Sequence, residues 1–241
     1  MPDEVTQKWR RPPLSRERIV WTALAIVDAD GLRGLTMRRL GKDLDVTTMA
    51  VYHHFPNKSA LYDGIVEAVM AEIDVSADDP SAPFRARLKT AARAYRDVLA
   101  AHPNALQVLM ARGPRTTGAL VPVETLIGIF RDAGFSPADA MAGMDVTAAT
   151  VRGAALVVLD QHLDSSVETT NAVAGDLAAT LPTDRFPHLL EALASGSLYD
   201  LTGEFEIGLE TLVRGFEARL DDARRQPAGF RGSASQSGPI A

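Results

Sequence analysis

The sequence predicts an all-α fold in two parts: a small N-terminal three-helix unit and a larger helical body. Three observations carry this expectation. Apolar residues recur at three- and four-residue spacing through most of the chain, no stretch alternates apolar and polar like a half-buried strand, and capping residues stand directly before the periodic runs. With 241 residues, 46% of them hydrophobic and 23% charged, the chain can bury a substantial core and is neither collagen-like, coiled-coil-only nor wholly disordered.

Residues 1–14 are polar, lack an apolar period and end in Arg-Arg-Pro-Pro-Leu, so they read as a mobile basic arm. Ser15 is placed to cap a first helix whose inward face is Ile19, Val20, Ala23, Leu24 and Val27, and Gly31 stops it. Thr36 caps a second, short helix from Met37 to Leu44, with Leu40 and Leu44 inward. Asp45-Val46 make a tight turn, and Thr47 caps a third helix of about two turns ending at Phe55. Pro56 ends it, and Asn57 caps a fourth through Leu61, Ile65, Val69 and Ile73.

Residues 76–83 are linker-like in composition. Phe84 to Ala101 then repeats apolar residues at Leu88, Ala92, Tyr95 and Leu99, and Pro103, Pro114 and Pro122 are expected to break the middle into short pieces. A helix follows over Val123–Ala133, closed by Gly134. Pro137 suits a first turn and starts a long helix to about Leu163. Weaker helical signals lie around 167–180 and 186–194, within a 164–200 region whose order without ligand the sequence leaves open. A last helix opens at Thr202 with Phe205, Leu209, Leu212, Val213, Phe216 and Leu220 on one stripe, and residues 226–241, rich in Gly, Ser and Pro, are expected to be disordered.

The net charge of −6 argues against a nucleic-acid partner only as an average. Residues 1–62 hold 10 Lys/Arg against 7 Asp/Glu, a balance of +3, and the remainder holds 15 against 24, a balance of −9. Charge alone fits a docking head or chance surface variation equally well. Two short capped helices joined by a tight turn on a scaffold of two others make a helix-turn-helix, and the second of them offers Thr47, Thr48, Met49 and Ala50 and then Tyr52, His53 and His54. Short side chains there let a helix approach base edges in a major groove, and Lys58 adds a full charge at the next helix N-terminus, where phosphate is favoured. Short amphipathic pairs also occur in ordinary bundles, so the pattern favours DNA binding modestly.

Leu35-Thr36-Met37-Arg38-Arg39-Leu40, then Leu44-Asp45-Val46, then Val51-Tyr52-His53-His54-Phe55-Pro56-Asn57-Lys58-Ser59-Ala60-Leu61 resembles the N-terminal domain of TetR-family transcriptional regulators. The resemblance covers residues 15–62 strongly and the helical remainder more loosely. It implies that Arg38, Thr48, Met49, Ala50 and His53 face the groove, while Thr36, Tyr52, His54 and Lys58 touch phosphate or support the recognition helix, which Thr47 opens. Val51 and Phe55 read as core. Arg10 and Arg11 suit a minor-groove arm or an exposed solubilising pair equally.

Domains are thus expected at 15–62 for DNA binding and 63–225 for effector binding and dimerisation, flanked by the arm and the tail. The resemblance implies a homodimer through the helices near 137–163 and 202–224, where Gly208, Gly215 and several alanines permit close approach, although both stripes could equally pack within one subunit. It also implies a double-stranded operator and a small-molecule effector whose pocket Tyr95, Leu99, Leu106, Met110, Leu126, Phe130 and Met144 could line, with methionines adapting to its shape. Such a stripe is more often ordinary core, so this assignment rests on the resemblance. Residues 123–136 are similar to the C-terminal domain of tetracycline repressors, yet the positions that hold the drug and its magnesium there fall on Asp74, Ala91, Ala111 and Leu126. That polar clamp is mostly missing, so a more apolar effector is expected, with no metal and no cofactor.

Catalytic readings fail on spacing. Gly113 to Gly118 has P-loop glycine spacing but continues Ala119-Leu120, Asp28-Ala29-Asp30-Gly31 lacks the later ligands of a calcium loop, and no Gly-x-Ser-x-Gly elbow occurs. The five histidines show no metal spacing beyond the adjacent His53-His54, and with no cysteine there is no thiol chemistry or disulfide framework. A start of Met1-Pro2-Asp3-Glu4 is unlike a signal peptide and no run approaches the roughly 18 apolar residues of a membrane span, so a cytoplasmic location is expected. The chain reads as a ligand-responsive DNA-binding regulator, usually a repressor; the alternative is an all-α small-molecule-binding or scaffold protein without sequence-specific DNA binding.

Overall fold

In a computed structural model the chain is described over residues 13–164, 175–176, 178–195 and 201–225, and every regular element there is helical. The longer helices are α1 (Arg16–Gly34), α2 (Met37–Leu44), α3 (Thr48–His54), α4 (Lys58–Ala71), α5 (Phe84–Ala101), α6 (Leu106–Arg112), α7 (Thr117–Ala133), α8 (Pro137–Asp164), α9 (Pro187–Ala194) and α10 (Leu201–Arg225). Short 3-10 turns occupy Val75–Ala77 and Pro103–Ala105. Residues 1–12 of the expected arm, most of the weak signal at 167–180 and the whole 226–241 tail lie outside the described residues. Among the described residues no helix is long and apolar enough to cross a membrane.

All four expected caps form. The side chains of Ser15, Thr36, Thr47 and Asn57 accept from the backbone N–H of Arg18, Arg39, Ala50 and Ala60. Gly31 leaves the helical region at φ +67°, so the regular part of α1 ends where the sequence placed its stop. One breaker is overruled: Pro122 lies inside α7. The turn before it is held by Thr116, whose Oγ1 accepts from Ala119 N, and by the complete burial of Ala119.

The chain packs as two compact units, one within residues 1–72 and 102–120, the other within 73–101 and 121–241. The first stretch of the first unit ends at Glu72, and the segment from His102 returns to that unit. There α6 packs on α4 and the 3-10 turn at Pro103 packs on α1. Arg112 also grips Asp63 through two bonds, Nε to Oδ1 at 2.7 Å and Nη2 to Oδ2 at 3.0 Å.

His102 ties this returning segment to α1 and α4. Its Nδ1 lies 2.8 Å from Asp28 Oδ2, and its Nε2 3.0 Å from Glu72 Oε2. The arrangement suits an imidazolium, which can donate from both ring nitrogens at once. Asn104 donates to the Asp28 carbonyl at 2.9 Å, while Asp28 Oδ1 is buried without a partner, which leaves the ring as that carboxylate's main compensation. Burial pulls the His102 pKa down, but hydrogen bonds to Asp28 and Glu72 together hold it above its ordinary 6.5. A raised folded-state pKa contributes stability that is present in full below 6.5 and fades as pH rises through the folded value. The thermal midpoint is therefore expected to fall as pH rises above 6.5. The fall should be largely absent in His102→Gln, and equal pH profiles for the two proteins would refute the assignment.

The second unit is built on α5, α8 and α10, each packed on the other two. Leu88, Ala92, Val98 and Leu99 of α5 meet a core that includes Val151 and Ala155 of α8 and Phe205, Leu209 and Val213 of α10. Phe84, Phe130, Phe135 and Phe216 form an aromatic cluster in which Phe130 lies 5.3, 5.3 and 4.9 Å from the other three centroids. A ladder of charges joins α5 to α10: Arg85 to Glu217 and Glu210, Lys89 to Glu210, and Arg93 to Glu206. Lys89, Arg85 and Arg214 hold the Glu210 carboxyl down at about 2. Arg87 is buried between Asp78 and Asp132, which hold its guanidinium charged.

Candidate nucleic-acid interface

The candidate site is built by α2 and α3. Asp45 ends α2 in the left-handed region, at φ 56° and ψ 46°, and its N–H bonds the Gly41 and Lys42 carbonyls. An aspartate tolerates that conformation better than most residues, so the turn closes without glycine. Gly41 lets the helices meet: a Cβ there would lie 3.1 Å from the Val46 carbonyl oxygen and 3.3 Å from Thr48 N. Behind α3, Val51 and Phe55 are fully buried. In front, Met49 is 73% and Tyr52 40% exposed, and His53 is exposed as well. Thr48, Ala50 and His54 are half-buried, and Thr47 is spent on its cap. The result is a short helix with one apolar face anchored and one mixed face presented to solvent.

The predicted cations divide. Arg38 is exposed at the start of α2 and, among the described residues, forms no ion pair. Its neighbour Arg39 is taken by Asp30 at 2.5 Å and Asp43 at 3.5 Å. Lys58 sits half-buried in the first turn of α4, its Nζ 5.4 Å from the Tyr62 ring centroid. Thr36 faces solvent with its hydroxyl already accepting from Arg39 N, which fits a supporting role. The His53 and His54 rings meet edge-on at 87°, 5.9 Å apart, so they do not converge on a common ligand. No group of three or more His, Asp or Glu among the described residues is arranged to hold a metal ion.

Two residues at this site escaped sequence reasoning. Arg16 Nη1 donates to the carbonyl of His54, the last residue of α3, and the Arg16 guanidinium lies 4.1 Å over the Phe55 ring. Arg18 Nη2 reaches the carbonyl of Leu44, the last residue of α2, at 3.5 Å. Both pairs are far apart in the chain, and periodicity carries no signal for them.

The seven predicted effector residues are not drawn together in one unit. Tyr95, Leu99, Leu126, Phe130 and Met144 belong to the second, whereas Leu106 and Met110 belong to the first. Leu106 is fully buried in the segment docked on α1 and α4, and Met110 is 53% exposed. Leu99 and Phe130 are buried. Tyr95, Leu126 and Met144 keep accessible surface. Burial pushes the Tyr95 phenol up, partly opposed by Arg152, so it stays a neutral hydrogen-bonding group.

Residues 19–65 match the family description "Bacterial regulatory proteins, tetR family", and residues 77–220 match "Tetracyclin repressor-like, C-terminal domain". The chain is similar to the HTH-type transcriptional repressor DrrR1 of Streptomyces coeruleorubidus, 27% identical over 90% of this chain and 83% of that one. It is also similar to the class D tetracycline repressor protein of Escherichia coli, 30% identical over 86% of this chain and 91% of that one. Among solved structures, apo ActR from Streptomyces coelicolor superposes with a TM-score of 0.79 at 28% identity, covering 89% of this chain and 100% of that one. ActR in complex with actinorhodin gives 0.78 at 29%, covering 87% and 99%.

Proposed function

We propose, for a chain that belongs to the tetR family of bacterial regulatory proteins, that two copies hold a palindromic operator and release it when a small, largely apolar effector binds. The chain is a ligand-responsive, DNA-binding transcriptional regulator and not an enzyme. The observation that carries the proposed operator contact is the solvent-facing strip of α3, with Thr48, Met49, Tyr52 and His53 in front and Val51 and Phe55 anchored behind. Thr48, Met49, Ala50, His53 and Arg38 read base edges; Tyr52, His54, Thr36 and Lys58 meet phosphate or brace the helix that Thr47 opens.

Unsatisfied apolar surface supports a homodimer through α8 and α10. Met141, Val146, Leu156 and Val157 of α8 and Ile207 of α10 are 41–69% exposed, and a Cβ on Gly208 or Gly215 would meet nothing within 4 Å. Two such subunits would set their α3 helices about one helical turn of DNA apart, roughly 34–36 Å. Repression is the mode read for this chain, in the cytoplasm where its operator lies, and ActR bound to actinorhodin supports an effector of small-molecule size. Tyr95 would supply a polar handle and Leu126 and Met144 apolar surface, and the effector must bind the released form better than the operator-bound one.

The test is a salt series of binding to the palindrome that the protein selects from random duplexes. Lys58→Ala is expected to weaken all sequences alike and to lower the slope of log affinity against log salt by about one. Thr48→Ala should instead change preference between operator variants by about 1–3 kcal/mol at the contacted base pair. Equal losses on every duplex for both variants would refute the roles, and a wild-type protein without sequence preference would refute operator binding itself.

A further inference from the structure

The recognition helix is only seven residues long, about two turns, and a helix of that length does not hold itself in water. Its position must come from tertiary anchors, and its C-terminal end is poorly served by the local chain. Phe55 N bonds the Val51 carbonyl at 2.9 Å, which accounts for one of the last four carbonyls. Phe55 itself is extended, at φ −130° and ψ 99°, so no left-handed cap folds back over the others, and Pro56 has no N–H to give.

The missing partner comes from the first turn of α1, 38 residues earlier, where Arg16 Nη1 donates to the His54 carbonyl. The same guanidinium covers the ring of Phe55, which is fully buried as the C-cap of α3. A planar cation thus does two things that a flexible ammonium does poorly: it stacks on an aromatic face and places a donor in a fixed direction. A cation at a helix C-terminus is also favoured by the helix dipole. The base of the clamp is firm, because Ser15 caps this turn through Arg18 N at 3.1 Å and Ile19 and Val20 are buried immediately behind it. Arg18 reaches the end of α2 in the same manner, at 3.5 Å.

We infer that Arg16 is a positioning residue for base recognition, setting the pose of α3 through its last carbonyl and its C-cap ring instead of serving as a phosphate contact. The inference rests on the operator-binding reading only for its consequence in DNA recognition; the clamp itself belongs to the free protein. Arg16 keeps its charge within the +3 of residues 1–62, while its hydrogen bond and ring contact are made to the protein.

The experiment has two arms, on full-length Arg16→Met, Arg16→Lys and wild type. In the first, hydrogen exchange of the free protein is followed for the backbone amides of residues 51–55, with those of α1 and α4 as internal controls. Loss of one charge-assisted bond is expected to speed exchange there by about tenfold in Arg16→Met and to leave the controls unchanged. In the second, affinities for the selected palindrome and for a shuffled duplex are measured across salt. The ratio between them should fall by about tenfold in both variants, while the salt slope and shuffled-duplex affinity stay at wild-type values. Unchanged exchange, a slope reduced by about one with both affinities falling together, or full recovery of the ratio by Arg16→Lys would each overturn the inference. If wild type prefers no duplex, operator binding fails as a reading, and the exchange arm decides the clamp on its own.

Discussion

Phe130→Ala is expected to destabilise the second unit by about 3–5 kcal/mol, the range for removing a large buried aromatic from a packed core. Phe130 is fully buried and lies within 5.3 Å, centroid to centroid, of Phe84, Phe135 and Phe216, so one substitution removes the centre of the cluster. The hole cannot close easily. One of its walls is Gly143, where even a Cβ would collide with the Phe130 ring, so no side chain stands there to swing inward. For a unit of this size each kcal/mol is worth about 2–4 °C, and the thermal midpoint should drop by roughly 10–15 °C. Circular dichroism melts of the variant and the wild type check this, and a drop of under about 3 °C would show that the ring is not the keystone its contacts indicate.

Gly41→Leu should abolish sequence-specific DNA binding while leaving the protein helical. The atoms nearest to a new Cβ are backbone: Val46 O at 3.1 Å, Thr48 N at 3.3 Å and Thr48 Cα at 3.4 Å. Backbone cannot rotate aside as a side chain can, so a branched side chain must push α3 away from α2. Specific affinity is then expected to fall to the non-specific level, a loss of about a thousandfold or more. Binding to shuffled DNA should persist, because the substitution removes no charge from the first 62 residues. Gly41→Ala provides the graded comparison, since a lone Cβ requires a shift of only a few tenths of an ångström. Wild-type discrimination in Gly41→Leu would refute the close α2–α3 contact as the determinant of recognition geometry.

The local features of the head were legible because they depend on neighbours in the chain. A serine, threonine or asparagine before an apolar run satisfies backbone donors two or three residues on, and Ser15, Thr36, Thr47 and Asn57 all do so. The burial of Val51 and Phe55 followed from helical spacing, while the outward place of Met49 and His53 was implied by the family resemblance. Pro122 shows the limit of such reasoning: its cost is local and readable, but the complete burial of Ala119 in the same helix depends on what the helix packs against. The effector set was least legible. A stripe of Leu, Met and Phe looks the same in sequence whether it lines a cavity or fills a core, and burial of Leu99, Leu106 and Phe130 is compatible with either.

By itself the sequence determined the helical class, the capped starts of the first four helices, the buried Val51 and Phe55 of α3 and the charge asymmetry between the first 62 residues and the rest, all of which follow from spacing and residue type. Only the tertiary structure decided that residues 102–120 return to the first unit, that His102 is clasped by Asp28 and Glu72, and that Arg16 holds the end of the recognition helix. The reason is sequence separation. His102 stands 74 residues from Asp28, and Arg16 stands 38 from His54. A charge in the sequence has many possible partners at such distances, and the packing of α1 against α2, α4 and the 3-10 turn selects one.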